Sequence, residues 1–325
     1  MKALIMEKPF WRRIKLDTAF CAVLALLLFG SIRYGKVFYS FSNNLCNVLR
    51  TASLMGIMAI GVNLCFLIGA RDLSVSAIAA LTSMVTAYFC QESLILGLSF
   101  GILAGAAVGM INGISVGKFH VQPFIATLGT QLAARGIALL MNHEYSIGLS
   151  QKGTVLKTLG NQNLFGIFPY PTLIFLGLIL LFAIVLRYTT FGRAIYAVGG
   201  NEESAEMMGI QVWKIKLSVF FISAVLSGIS GILLVGRLNA GQPTACEGWE
   251  MTIMAAVVIG GTSVKGGVGR ISGIFMGVVF VQLISNLINL NGNISAYWKD
   301  IVTGFILLAA VLSQALSDYY RKKVK

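Results

Sequence analysis

Residues 94–117 read LILGLSFGILAGAAVGMINGISVG, a run with no charged side chain and with glycine at 97, 101, 105, 109, 113 and 117. Crossing the hydrocarbon core of a bilayer takes roughly 20 mostly apolar residues, so the run predicts a membrane-spanning helix. Four residues are slightly more than one helical turn. Gly97, Gly101, Gly105, Gly109, Gly113 and Gly117 therefore form one groove without side chains, drifting slowly around the axis. Close backbone packing of this kind replaces the hydrophobic effect that lipid cannot supply between helices. Gly269, Gly273 and Gly277 repeat the device, as do Ser223, Ser227 and Gly231. Such packing suits a compact body of many helices better than a simple anchor.

The rest of the chain agrees. Of 325 residues 57% are hydrophobic and 11% charged, where a soluble domain carries about a quarter charged. Mean hydropathy is +0.82. Ten candidate spans lie near 16–32, 47–69, 73–90, 94–117, 123–141, 170–187, 215–236, 251–263, 270–290 and 299–317. The third, fifth and eighth are short or interrupted by small and polar residues and are expected to be tilted, broken or only partly spanning. Irregular backbone at membrane depth survives only under cover of protein or beside a wet cavity. The fold class is an all-α integral membrane protein, with one transmembrane domain over 1–325. The basic stretch Met1–Lys15 and the apolar run after it resemble a signal peptide. No A-x-A-like cleavage site closes that run, which reads as a retained first helix.

Net charge is +13, yet the basic residues sit at the ends of apolar runs rather than in a stripe interleaved with aromatics. That is the pattern of positive-inside topology and argues against nucleic acid. With the amino terminus inside, the cytoplasmic side collects 17 of the 25 Lys and Arg residues, among them Arg71, Lys118, Arg193, Lys214 and Lys216. The outer side receives seven: Arg33, Lys36, Arg50, Lys152, Lys157, Arg237 and Lys299; Arg135 lies within the fifth span. Ten crossings place both termini in the cytoplasm and residues 142–170 outside.

Several chemistries are excluded. Cys21, Cys46, Cys65, Cys90 and Cys246 form no C-x-x-C pair, and with only His120 and His143 beside them no zinc spacing exists. They read as small packing residues, and no metal or other cofactor is expected. Gly113-Ile114-Ser115-Val116-Gly117 matches the nucleophile elbow G-x-S-x-G but lies on the glycine ridge of a membrane helix, not on a strand–turn–helix. Gly228-Ile229-Ser230-Gly231 lacks the histidine in a later span that an intramembrane protease needs. The Gly-Lys pairs are followed by Val37 and Phe119, so there is no P-loop and any ATP must be handled by a partner. No catalytic residue is expected.

Ionisable groups at membrane depth are costly and point to function. Here they are few: Asp72 follows Arg71 at the break between the second and third spans, where its carboxylate is expected to cap the third span with Arg71 as a neighbouring counter-charge. Asn63, Asp72, Ser74, Thr127, Thr130, Gln282 and Asn286 are the candidates for a solute path; the alternative for such groups is to glue helices together. The longest cytoplasmic connection, 188–214, contains Asn201, a good N-cap, then Glu202 and Glu203 at the positive helix end, and Gly209 placed to terminate. It predicts a short helix exposing the adaptable side chains of Met207 and Met208. Such a helix either docks a cytoplasmic partner or lies on the lipid surface.

Over residues 45–315 the sequence resembles the permeases of bacterial ABC importers for ribose and related monosaccharides. The family's G-G-I-D-L-S-V-G-S appears as Gly69-Ala70-Arg71-Asp72-Leu73-Ser74-Val75-Ser76-Ala77. Its F-I-x-T-L-G-T…R-G stands at Phe124–Thr130 and Arg135-Gly136, and its cytoplasmic G-x-N-x-x-x-A-x-x-x-G-I corresponds to Gly199–Ile210. Ala255–Ser263 followed by Gly266-Gly267-Val268-Gly269 resembles the second-half signature. Ala70, Arg71 and Ser76 depart from the usual Gly, Ile and Gly, and Trp298–Leu307 is similar to the galactofuranose-type branch as well. The resemblance implies a permease in the bacterial inner membrane, paired with a second copy or a sister permease. It also implies two ATP-binding subunits gripping the helices around Asn201–Gly209, and an extracytoplasmic sugar-binding protein. The solute is a monosaccharide on this reading; a nucleoside, a signalling furanose or a branched amino acid are the alternatives within the same machine, and a stand-alone secondary carrier is the alternative outside it.

Overall fold

The computed structural model describes residues 18–40, 44–166, 168–292, 295 and 297–323. The basic stretch Met1–Lys15 lies outside them. In chain order the helices are α1 (Thr18–Tyr34), α2 (Lys36–Tyr39), α3 (Cys46–Leu67), α4 (Val75–Phe89), α5 (Leu94–Gly117), α6 (Pro123–Leu140), α7 (Thr154–Asn161), α8 (Tyr170–Tyr188), α9 (Thr190–Gly200), α10 (Glu202–Met207), α11 (Val212–Leu238), α12 (Trp249–Ile259), α13 (Ser272–Leu290) and α14 (Trp298–Lys323). Each of the ten expected spans coincides with one of these helices. Among the described residues six helices are long and apolar enough to cross a membrane, and Phe20–Tyr34, Val75–Phe89 and Trp249–Ile259 are shorter apolar helices. Two antiparallel two-residue pairs complete the fold: β1 (Ile147–Gly148) with β4 (Ala240–Gly241), and β2 (Asn163–Leu164) with β3 (Phe168–Pro169).

The long helices α3 and α11 occupy the centre, and 19 of the 22 residues of α3 are buried. α5 is different. Its buried face consists of the six ridge glycines with Asn112 and Val116, while Ile95, Leu103 and Ile111 point outward, as do Leu132 and Leu140 of α6 and Leu180 of α8. Those side chains are where lipid tails belong. The ridge drifts as a 3.6-residue helix requires. A Cβ at Gly97 or Gly101 would press on Cys90 and Thr86 of α4, whereas one at Gly113 would lie 2.8 Å from the Cα of Leu217 in α11. One stripe thus seats α5 on two neighbours in turn.

The third and eighth spans are short, as expected. The fifth is not interrupted: α6 runs unbroken over Pro123–Leu140. Its polar residues find partners instead of breaking the helix. Thr127 Oγ1 donates back to Pro123 O at 2.8 Å, Gln131 Nε2 to Glu250 Oε1 at 3.2 Å, and Arg135 Nη1 to Pro243 O and Ala245 O at 2.6 and 2.8 Å. The connection 188–214 also holds more than the one expected helix, because α9 precedes α10 with Thr189 as its N-cap.

Candidate translocation and coupling site

Asp72 lies in the break between α3 and α4 and is 1% exposed. Its Oδ1 accepts from Ser74 N–H at 3.0 Å and from Ser74 Oγ at 2.6 Å, and its Oδ2 accepts from Ser223 Oγ of α11 at 2.8 Å. Ser223 stands eleven residues into α11, about 16 Å along the axis, so the carboxylate is held within the helical body rather than at its end. Asn112 Nδ2 of α5 donates to Ser74 Oγ at 2.9 Å, and Thr130 Oγ1 of α6 donates to Asn112 Oδ1 at 2.8 Å. Leu73 N–H donates to Thr127 Oγ1 at 3.2 Å. Every bond in the row Thr130–Asn112–Ser74 points toward the Asp72 carboxylate, and hydrogen bonds aligned head to tail strengthen one another in a medium of low dielectric.

This geometry corrects the expected role of Asp72. The N-cap of α4 is Ser74, which makes no side-chain cap bond; Asp72 stands two residues earlier and binds the cap residue rather than the first helical turn. Arg71 is exposed, and Lys216–Glu202 is the one ion pair among the described residues. Asp72 is therefore held by hydrogen bonds alone, with no counter-charge.

Of the path candidates, Asp72, Ser74, Thr127 and Thr130 come together here; the others lie elsewhere. Asn63 of α3 accepts from Thr262 Oγ1 at 2.6 Å, and its own Nδ2 has no partner among the described residues. Gln282 of α13 lies against the Met55 sulfur. Asn286 exchanges bonds with Asn44 at 2.7 and 3.2 Å. Two members of the network were absent from the sequence candidates. Asn112 is the single amide side chain in the 94–117 run, which was signal enough, whereas Ser223 looked like a packing residue. Ser76, where the resembled pattern has glycine, is fully buried and its hydroxyl has no partner among the described residues. Removing an unsatisfied buried polar group recovers its desolvation cost, so Ser76→Ala is expected to raise the thermal midpoint of the solubilised protein by a few degrees. An unchanged or lower midpoint would mean that the hydroxyl is satisfied.

At the opposite end of α11 from Leu238, α10 turns as its residues dictate. Asn201 Oδ1 accepts from Ser204 N–H at 2.7 Å, and the chain leaves the helix through Gly209 at φ +83°. Ala205 is buried and anchors the helix, while Met207 and Met208 are 77% and 70% exposed. Lys216 Nζ meets Glu202 Oε1 at 2.5 Å. Just ahead of α10, three separate segments of backbone touch. A Cβ on Gly199 would fall 1.7 Å from Leu67 O at the end of α3, and one on Gly266 would lie 2.8 Å from Gly199 O and 2.9 Å from Gly69 N. Gly69 and Gly266 also take positive φ, +75° and +91°, which glycine adopts without steric cost. Gly267 N–H donates to Leu67 O at 2.9 Å. Three of the four motifs quoted from the sequence, far apart in the chain, meet at this junction.

A family model described as a branched-chain amino acid transport system permease component matches residues 44–311. The chain belongs to this permease family. Among curated relatives, the ribose import permease protein of Escherichia coli (strain K12) is 38% identical over 275 residues, 83% of this chain and 85% of the relative. The L-arabinose transport system permease protein of the same strain is 36% identical, covering 84% and 81%. The L-arabinose ABC transporter permease protein of Azospirillum brasilense is 31% identical, covering 91% and 86%. No solved structure matches. The permease is thus a multi-pass membrane protein and a transporter subunit rather than an enzyme, one component of a larger transport system.

Proposed function

We propose that this permease forms the membrane pathway of an ATP-driven importer for a monosaccharide, with α10 as the contact for a separate ATP-binding subunit. The observation that carries the reading is α10 itself, a capped helix presenting two exposed methionines at the end of the molecule where Lys214 and Lys216 begin α11. Adaptable apolar side chains on a polar helix suit a protein socket. The exposed carboxylates of Glu202, Glu203 and Glu206 argue against the lipid-surface alternative, since the inner leaflet is anionic. Both termini and α10 then face the cytoplasm, and 142–170 faces outward, where an extracytoplasmic binding protein delivers the sugar. A second permease, identical or a sister, completes the pathway. Within each copy, the polar row that ends on Asp72 lies beside the route, and alternating access consists of shifting its elements between two arrangements.

The ribose and arabinose names of the relatives support a pentose. The family description, which names branched-chain amino acids, supports leucine-type solutes as the second reading. Liposomes holding the permease, its ATP-binding subunit and its binding protein are expected to accumulate D-ribose or L-arabinose only with ATP, and liposomes holding the permease alone to accumulate neither. Accumulation without the ATP-binding subunit would overturn the reading in favour of a secondary carrier. For the orientation, Ser204→Cys in a cysteine-free background is expected to react with a membrane-impermeant maleimide only from the cytoplasmic side. Labelling from the outer side would invert the topology.

A further inference from the structure

At the Leu238 end of α11, about 40 Å from α10 by the length of its 27 residues, a cavity of about 390 Å³ opens. Its polar lining is Thr51, Arg237, Gln242, Thr244 and Glu247, with the indole of Trp249. The volume falls at the lower end of small-molecule sites, roughly 300–1,000 Å³. Its walls are held from behind. Arg237 Nη1 donates to Thr51 Oγ1 at 2.7 Å. The loop 242–248 is anchored by Gln242 N–H donating to Ser83 Oγ at 3.3 Å, and by Arg135 on the carbonyls of Pro243 and Ala245. That loop turns through positive φ at Cys246 and Gly248, +58° and +76°.

Three of the other side chains along the cavity are, by contrast, free of hydrogen bonds. Gln242, Thr244 and Glu247 are exposed, and none makes a side-chain hydrogen bond within the described residues. Arg237 and Glu247 line the same space without pairing, for the one ion pair among the described residues is elsewhere. A guanidinium donor and a carboxylate acceptor held apart, with an amide, a hydroxyl and an aromatic face between them, suit a neutral molecule. Its hydroxyls both donate and accept, and its C–H face covers the indole.

We propose that this cavity is the first solute subsite of the permease, where a monosaccharide arriving at the outer face is held by Arg237, Glu247 and Trp249 before it enters the membrane. The proposal rests on the sugar-importer reading above. A direct test uses the full-length permease with Thr244→Cys in a Cys21→Ser background, labelled by a water-soluble maleimide. Burial pushes the native Cys246 thiol up to about 12, so it stays protonated and slow to react. D-ribose or L-arabinose is expected to slow labelling at Thr244→Cys at least threefold. The protection should vanish with Trp249→Leu or Glu247→Gln, while Tyr145→Cys, on the exposed loop of the same face, labels at one rate with or without sugar. Trp249→Leu should also raise the KM of uptake by the complete transporter about tenfold. Import of either pentose by the complete transporter without any protection at Thr244→Cys would overturn the subsite alone. Protection and import with leucine, and with neither pentose, would overturn the monosaccharide reading together with the subsite's assignment to sugar.

Discussion

With Met207 and Met208 both replaced by aspartate, the solubilised transporter is expected to lose its ATP-binding subunit during purification, and uptake is expected to stop. The two methionines are exposed at the tip of a six-residue helix whose own attachment to the permease runs through Ala205 and the Glu202–Lys216 pair. The exchange therefore leaves the permease's packing alone. In a dry socket, each unpaired carboxylate costs several kcal/mol. A loss of only ~2.7 kcal/mol already weakens binding a hundredfold. Membrane insertion and pairing of permeases should be unaffected, which separates lost docking from misfolding. Co-purification of the ATP-binding subunit at the normal ratio, with normal uptake, would show that coupling runs through another surface.

The second large effect concerns Asp72. Asp72→Leu removes the acceptor for Ser74 N–H, Ser74 Oγ and Ser223 Oγ at once, and each stranded donor costs about 1–3 kcal/mol. The amount of protein in the membrane should fall severalfold. Asp72→Asn keeps a carbonyl oxygen for Ser74, and the Ser223 hydroxyl can turn to accept from the new amide, so this variant is expected to reach near-normal levels. Its uptake then decides the meaning of the charge. Transport near the native rate makes Asp72 a structural clasp on the break, and a well-expressed but inactive Asp72→Asn would assign the negative charge itself to the transport cycle.

Much of this architecture is legible in the residues. Leu94–Gly117 announces a lipid-facing helix with one side-chain-free face, and that face alone, with Asn112 and Val116, is buried. Asn201 and Gly209 mark the start and stop of α10 because capping is local chemistry. What the sequence hides is tertiary. α6 looks interrupted at Gln131 and Arg135 because their partners, Glu250 and the carbonyls of Pro243 and Ala245, lie more than a hundred residues away. The short helices α7 and α9 lack the length to declare themselves, since a helix of 8 or 11 residues is marginal without neighbours to pack on. Ser223 resembles every other small residue on α11 until the fold places a carboxylate against it, and the cavity beside Trp249 assembles from the start of α3, the end of α11 and a loop.

The meeting of Gly69, Gly199 and Gly266 has a mechanical meaning. Side chains in contact can absorb a push by changing rotamer, as a sprung coupling does. Main chain resting on main chain, with no Cβ between, has no such give, and it acts as a pinned linkage. If α10 is pushed as the proposed coupling requires, the shift is expected to be passed to the end of α3, five residues from Asp72, with little absorbed in between. The same closeness leaves no room for an added carbon at Gly199 or Gly266, so a methyl group at either would jam the linkage rather than merely loosen it, while Gly69 is held to glycine by its positive φ.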